Sequence, residues 1–116
     1  QLMLVARSLL QESEVVLMDE PTNHLDLRNK LRVLDMIDRL ASGGKTIVFT
    51  THEIEAAWKV AEWTILAGEE GTFVTGETHE VLTSENLSVI YGVPVRTVET
   101  EGERIFLWRA RTPLST

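Results

Sequence analysis

Two short apolar runs in this chain end on residues able to do chemistry. Val15-Val16-Leu17-Met18 closes on Asp19-Glu20, and Lys45-Thr46-Ile47-Val48-Phe49 closes on Thr50-Thr51-His52. If both runs are strands and lie side by side, a carboxylate pair and an imidazole converge on one sheet edge. That carboxyl edge is where open α/β sheets bind ligands. Such a set suits hydrolysis at a metal-bound phosphate: one carboxylate holds Mg²⁺, usually through water, a second orients and deprotonates the attacking water, and a donor meets the phosphate charge. Each residue also has a plainer reading. An Asp-Glu pair after a strand can cap the next helix or simply be solvated, and a lone histidine after a strand is more often structural. His24 falls in a loop and His79 at the start of a surface helix, while Trp58, Trp63 and Trp108 read as packing residues rather than stacking platforms.

The elements that must carry these residues follow from periodicity. Glu14 to Asp19 suits a strand buried on both faces. Pro21 and Asn23 punctuate a loop from Glu20 to Asp26. Leu27, Leu31, Leu34, Ile37 and Ala41 then recur at helical spacing, with Asp26 as candidate N-cap and Gly43-Gly44 as the stop. Lys45 to Thr51 is a second buried strand. His52 opens another helix, with Ile54, Ala57, Trp58 and Ala61 on one face, and Glu53 and Glu55 suit its positive end. Trp63 to Leu66 is a third strand, and Gly68-Glu69-Glu70-Gly71 turns it into Thr72–Thr75 as an antiparallel hairpin. Two short helices follow, near 79–82 and 84–91. Val95–Val98 and Arg104–Trp108 make a last hairpin around Glu101-Gly102-Glu103. Strand–helix–strand–helix–strand order implies a parallel α/β sheet with a smaller β/α appendage.

Composition narrows the classes. The chain has 116 residues, 43% hydrophobic and 25% charged, which is ordinary for one globular domain. Its net charge of −7 argues against direct nucleic-acid binding, which calls for a basic footprint. With no cysteine there is neither a disulfide nor a thiolate metal site, and no apolar run approaches the roughly 20 residues of a membrane span. The chain opens at Gln1 on an apolar, helix-like stretch, Leu2 to Leu10, without the flanks of a signal peptide. It reads as a piece of something longer.

The run Val15-Val16-Leu17-Met18-Asp19-Glu20-Pro21-Thr22-Asn23-His24-Leu25-Asp26 resembles the Walker B segment and D-loop of an ABC-type ATPase. Upstream, Gln1 to Leu9 is similar to the helix after that family's signature sequence. Downstream, Thr51-His52 resembles its switch-histidine loop. The resemblance covers the whole chain. It implies the C-terminal half of a parallel-sheet P-loop NTPase core over residues 1–66, with a β-hairpin and helix appendage over 67–116. It further implies that Asp19 is the Mg²⁺ ligand through water and Glu20 the general base. His52 would contact the γ-phosphate of ATP and place the attacking water, and Asp26 would belong to the loop that communicates between two nucleotide sites. Asp26 can serve as helix cap as well.

Gly43-Gly44-Lys45-Thr46 is a decoy for a phosphate loop. The motif needs a glycine five places before Gly44, where Arg39 stands, and it needs a strand before and a helix after, the reverse of the order here. A helix C-cap at Gly43-Gly44, where positive φ is wanted, accounts for the pair better. No other candidate exists in the sequence, and the family's Q-loop and signature are also missing from it. The expectation is therefore that the 116-residue chain alone neither binds ATP tightly nor hydrolyses it.

Two branches of the family compete. Glu53-Ile54-Glu55-Ala56-Ala57 resembles the acidic-apolar helix start of transporter ATPases, and Gly76 to Val95 is similar to the tail of importers for siderophores, haem, cobalamin and other metal chelates. With the acidic balance, these favour an importer ATPase over a soluble, ribosome-binding ABC protein of the translation-factor kind. An importer subunit implies ATP and Mg²⁺ as cofactors, a second ATPase subunit and membrane permease subunits as partners, and a place on the cytoplasmic face of the cell membrane. A non-catalytic truncated remnant is the third reading.

Overall fold

Alternation along Val15–Asp19 and Thr46–Thr50 makes two strands, β1 and β2. Between them lies the helix α1, Leu27–Ser42. A computed structural model describes residues 14–108, so the expected helix at residues 2–10 and the tail after Trp108 lie outside the described residues. β1 and β2 pair in parallel, in the register Val15↔Thr46, Leu17↔Val48 and Asp19↔Thr50. A parallel pair needs a crossover, and α1 supplies it. The helix starts where Asp26 Oδ1 accepts the Asn29 N–H at 2.9 Å. It stops at Gly43, whose N–H donates to carbonyls of the last turn. The positive φ expected of this glycine pair falls only on Gly44, at 102°, while Gly43 keeps φ −84°.

Val16 and Met18 of β1 pack beneath Val33, Leu34 and Ile37 of α1, with Ala56 of the helix α2, Ile54–Val60. Leu25, Met36, Leu40, Ile47, Phe49 and Val60 close the margins of this core. Three sequence expectations change here. Neither strand is buried on both faces: Val15 and Leu17 of β1 are exposed, Leu17 at 75%, and on β2 Val48 is exposed while Ile47 and Phe49 are only half-buried. On α1 the buried stripe is Val33, Leu34 and Ile37, and Leu27, Leu31 and Ala41 face outward. On α2 the buried positions are Ala56 and Ala57, with Ile54 and Trp58 half-buried. Apolar residues at the right spacing mark a face, but a neighbouring surface must exist for it to be covered.

The described chain parts into two compact units at Val60/Ala61, six residues before the expected seam. In the second unit β3, Trp63–Ala67, hydrogen-bonds to β4, Phe73–Glu77, as the antiparallel hairpin expected of this pair. The helices α3, Thr78–Val81, and α4, Ser84–Tyr91, follow. β5, Val95–Thr100, and β6, Glu103–Trp108, form the last hairpin. Its two-residue turn puts Glu101 at φ 50° and Gly102 at φ 80°, the left-handed pair that suits the strand twist. Leu66, Val81, Leu82, Leu87, Val95 and Phe106 are the buried apolar residues described in this second unit. Arg104 stitches it, donating to the carbonyls of His79 at 2.9 Å and Leu82 at 3.0 Å, and to Glu99 Oε2. Among the described residues no helix is long and apolar enough to cross a membrane.

Candidate functional site

Parallel register places Asp19 directly across from Thr50 at the carboxyl ends of β1 and β2. The Thr50 hydroxyl donates to Asp19 Oδ1 at 2.6 Å and accepts the Glu20 N–H at 3.0 Å. That N–H is shared with the Thr50 carbonyl, also at 3.0 Å. One hydroxyl thus fixes the side chain of the first acid and the backbone of the second.

Adjacent strand residues point to opposite faces, so two tandem acids can serve one site only if the chain leaves the strand between them. The chain leaves the strand at the first residue of the expected 20–26 loop. Glu20 itself has φ 45°, in the left-handed region that side chains rarely adopt. The Asn23 N–H then closes a turn onto the Glu20 carbonyl at 3.0 Å, with Pro21 pre-setting its second position. Strained backbone of this kind costs of order 1–3 kcal/mol and gathers at functional positions.

The reversal carries the Glu20 side chain toward the end of β2, where its Oε1 stands 3.3 Å from His52 Nε2. His52 is 89% exposed and the Glu20 side chain 31%. Asp19, Glu20 and His52 therefore lie together at one sheet edge. Asp26 stands apart as the cap of α1. His24 is exposed at φ 64°, and His79 is exposed within α3.

Residues not singled out from the sequence complete the surroundings. Besides Thr50, the Thr22 hydroxyl is buried and donates to Glu53 Oε1 at 2.7 Å. Lys30 of α1 is ion-paired with the other Glu53 oxygen. The Lys30 ammonium, then the Thr22 hydroxyl, hold the Glu53 carboxyl below its ordinary value of 4.5, against a smaller opposing push from burial. The Glu53 N–H donates to the Thr51 hydroxyl at 2.9 Å. The available signals were positional: Thr50 is the register partner of Asp19, and Glu53 follows His52. An exposed, hydroxyl-held carboxylate is a hard oxygen donor of the kind Mg²⁺ takes. A second carboxylate beside an imidazole can hold a water and accept its proton.

This is the carboxyl edge of a parallel β–α–β unit, and comparison with known proteins narrows its class. Residues 1–56 match the family model described as "AAA domain, putative AbiEii toxin, Type IV TA system". The chain is 42% identical over 96 residues to the molybdate import ATP-binding protein MolC of Haemophilus influenzae, a match covering 82% of this chain and 38% of that protein. It is 33% identical over 95 residues to the achromobactin transport ATP-binding protein CbrD of Dickeya dadantii, covering 81% and 35%. A solved structure titled "An inward-facing conformation of a putative metal-chelate type ABC transporter" superposes with TM-score 0.73 and 33% identity, over 84% of this chain and 41% of that one. The chain belongs to the ABC transporter ATP-binding protein family. It spans somewhat over a third of the length of these relatives.

Proposed function

We propose that this chain is the Walker B, D-loop and switch-histidine part of an ATP-hydrolysing subunit of an ABC importer, one that couples ATP turnover to uptake of a metal chelate or similar solute. The observation that carries this reading is the convergence of Asp19, Glu20 and His52 at the carboxyl edge of β1 and β2. Asp19 would hold Mg²⁺ through water, and the ion would supply charge neutralisation on the phosphates. Glu20 orients the attacking water and takes its proton. His52 would contact the γ-phosphate and position that water. The start of the turn at Glu20 gives these side chains separate tasks. Asp26, besides capping α1, lies in the loop that would face the second ATPase subunit of a dimer.

Permease subunits are the partners this reading requires, with the ATPase resting on the cytoplasmic face of the membrane. The relatives' names support the importer branch, and the net charge of −7 fits poorly with the ribosome-binding alternative. The 116 residues contain no G-x-x-x-x-G-K-[ST] cradle, so alone they bind ATP weakly and turn none over. Sequencing the genomic DNA on both sides of the reading frame tests the assignment. An in-frame upstream phosphate loop and signature beside a multi-span permease gene is the expected result. A second ATPase cassette with no permease would favour the translation-factor branch instead, and an upstream stop codon would make the chain a remnant.

A further inference from the structure

Thr22, Lys30 and Glu53 have no place in the chemistry above, yet they form a part-buried polar cluster in the first unit. Thr22 is 2% exposed, and its hydroxyl reaches one Glu53 oxygen at 2.7 Å while Lys30 pairs with the other. A buried hydroxyl that loses its partner carries the desolvation cost of an unmade bond, so this contact is held rather than incidental. Its position in the chain matters most. Thr22 lies two residues after Glu20, in the turn that leads to Asp26, and Glu53 is the residue next to His52. Lys30 belongs to the first turns of α1, which the core beneath it holds in place. The Glu53 backbone is fixed as well, through its N–H on the Thr51 hydroxyl. One carboxylate therefore joins the loop that carries the acid, the loop that carries the imidazole, and a rigid helix.

We propose that Glu53 is a positioning residue. By binding Thr22 and Lys30 together, it fastens the Glu20–Asp26 turn to the His52 turn, so that the two move as one body and keep Glu20 and His52 in register during ATP turnover. The catalytic consequence rests on the ATPase reading given above; the mechanical link does not. Thr50 fixes the sheet-edge side of Glu20, and Glu53 fixes the far side of its loop. A shift on binding or release at His52 is thereby passed to the loop bearing Asp26, and the reverse.

Amide hydrogen exchange on the full 116-residue chain tests the link. Thr22→Val removes the hydroxyl at constant shape, and the loss of one such bond corresponds to a roughly tenfold rise in exchange. That rise is expected both at residues 20–26 and at 51–53, with β1 and α1 unchanged and with Thr22→Ser restoring protection. Lys30→Met, at a half-buried helix position, makes the same test without altering a buried side chain. Faster exchange at 20–26 alone, with 51–53 as in the wild type, overturns the proposal. In the complete ATP-binding protein, Thr22→Val should lower kcat about tenfold while KM for ATP stays within about twofold, because alignment is lost and binding is not. An unchanged kcat, or a loss confined to KM, overturns the positioning role. A wild-type protein that hydrolyses no ATP would refute the ATPase reading instead, and the exchange result would still decide whether the strap exists.

Discussion

Thr50→Val isolates the hydroxyl that joins the two acids. Valine keeps the β-branched shape and the strand preference of threonine, so β2 should pair with β1 as before. Two hydrogen bonds disappear, one donated to Asp19 at 2.6 Å and one accepted from the Glu20 N–H at 3.0 Å. The second loss is cushioned, because that N–H keeps the Thr50 carbonyl at 3.0 Å. The first is a bond to a carboxylate at an exposed edge, where water can substitute, so the net loss is about 1 kcal/mol rather than the larger value of a buried charged pair. With a urea dependence of about 2 kcal/mol per molar for a chain of this size, the midpoint should fall by about 0.5 M. Amide exchange of β1 and β2 peptides across a urea titration reads this for the first unit alone. Thr50→Ser, which keeps the hydroxyl, should recover most of the shift. A Thr50→Val midpoint equal to wild type, or a Thr50→Ser midpoint as low as that of valine, would refute the bridging role.

Removing the helix cap with Asp26→Ala should cost about 1 kcal/mol, and Asp26→Asn, which can still accept the Asn29 N–H, should cost much less; urea unfolding separates the two. Ile37→Ala, at a position 2% exposed and packed against β1, should cost about 2–4 kcal/mol in the same assay, and a loss well under about 1 kcal/mol would contradict its place in the core. The Glu53 carboxyl is held below its ordinary 4.5 in the folded chain, so its contribution is present above that value and is lost as pH falls through the lowered one. Glu53→Gln should therefore flatten the acid limb of stability below pH 4.5, measured as melting temperature against pH, and an unchanged acid limb would show that Glu53 contributes nothing to it.

Much of this architecture was legible because it rests on local signals. The apolar run before Asp19, the cap at Asp26, the helical spacing of Leu34 and Ile37, and the Glu101-Gly102 turn each specify their element without reference to distant residues. The convergence of Asp19, Glu20 and His52 was legible too, once two strands ending on them were taken as neighbours. What escaped depends on tertiary context. Thr50 matters only because the register sets it opposite Asp19, and a one-residue slip would turn its side chain to the other face. Glu53 reads only as an acid suited to a helix start, and Thr22 only as a loop residue, until the two loops are brought together. Leu17, Leu27 and Leu31 are apolar yet exposed, since hydrophobicity states what a residue prefers and not what lies against it.

Replacing the carboxylate of Glu20 tests the central claim most directly. In the complete ATP-binding protein, Glu20→Gln keeps the shape and the neighbour His52 but removes the proton acceptor, so ATP should still bind while hydrolysis falls to background. Parallel measurement of nucleotide binding and phosphate release would show nucleotide retained without turnover. A Glu20→Gln protein releasing phosphate at the wild-type rate would contradict the assignment of Glu20 as the base, and with it the reading of this sheet edge as a hydrolytic site.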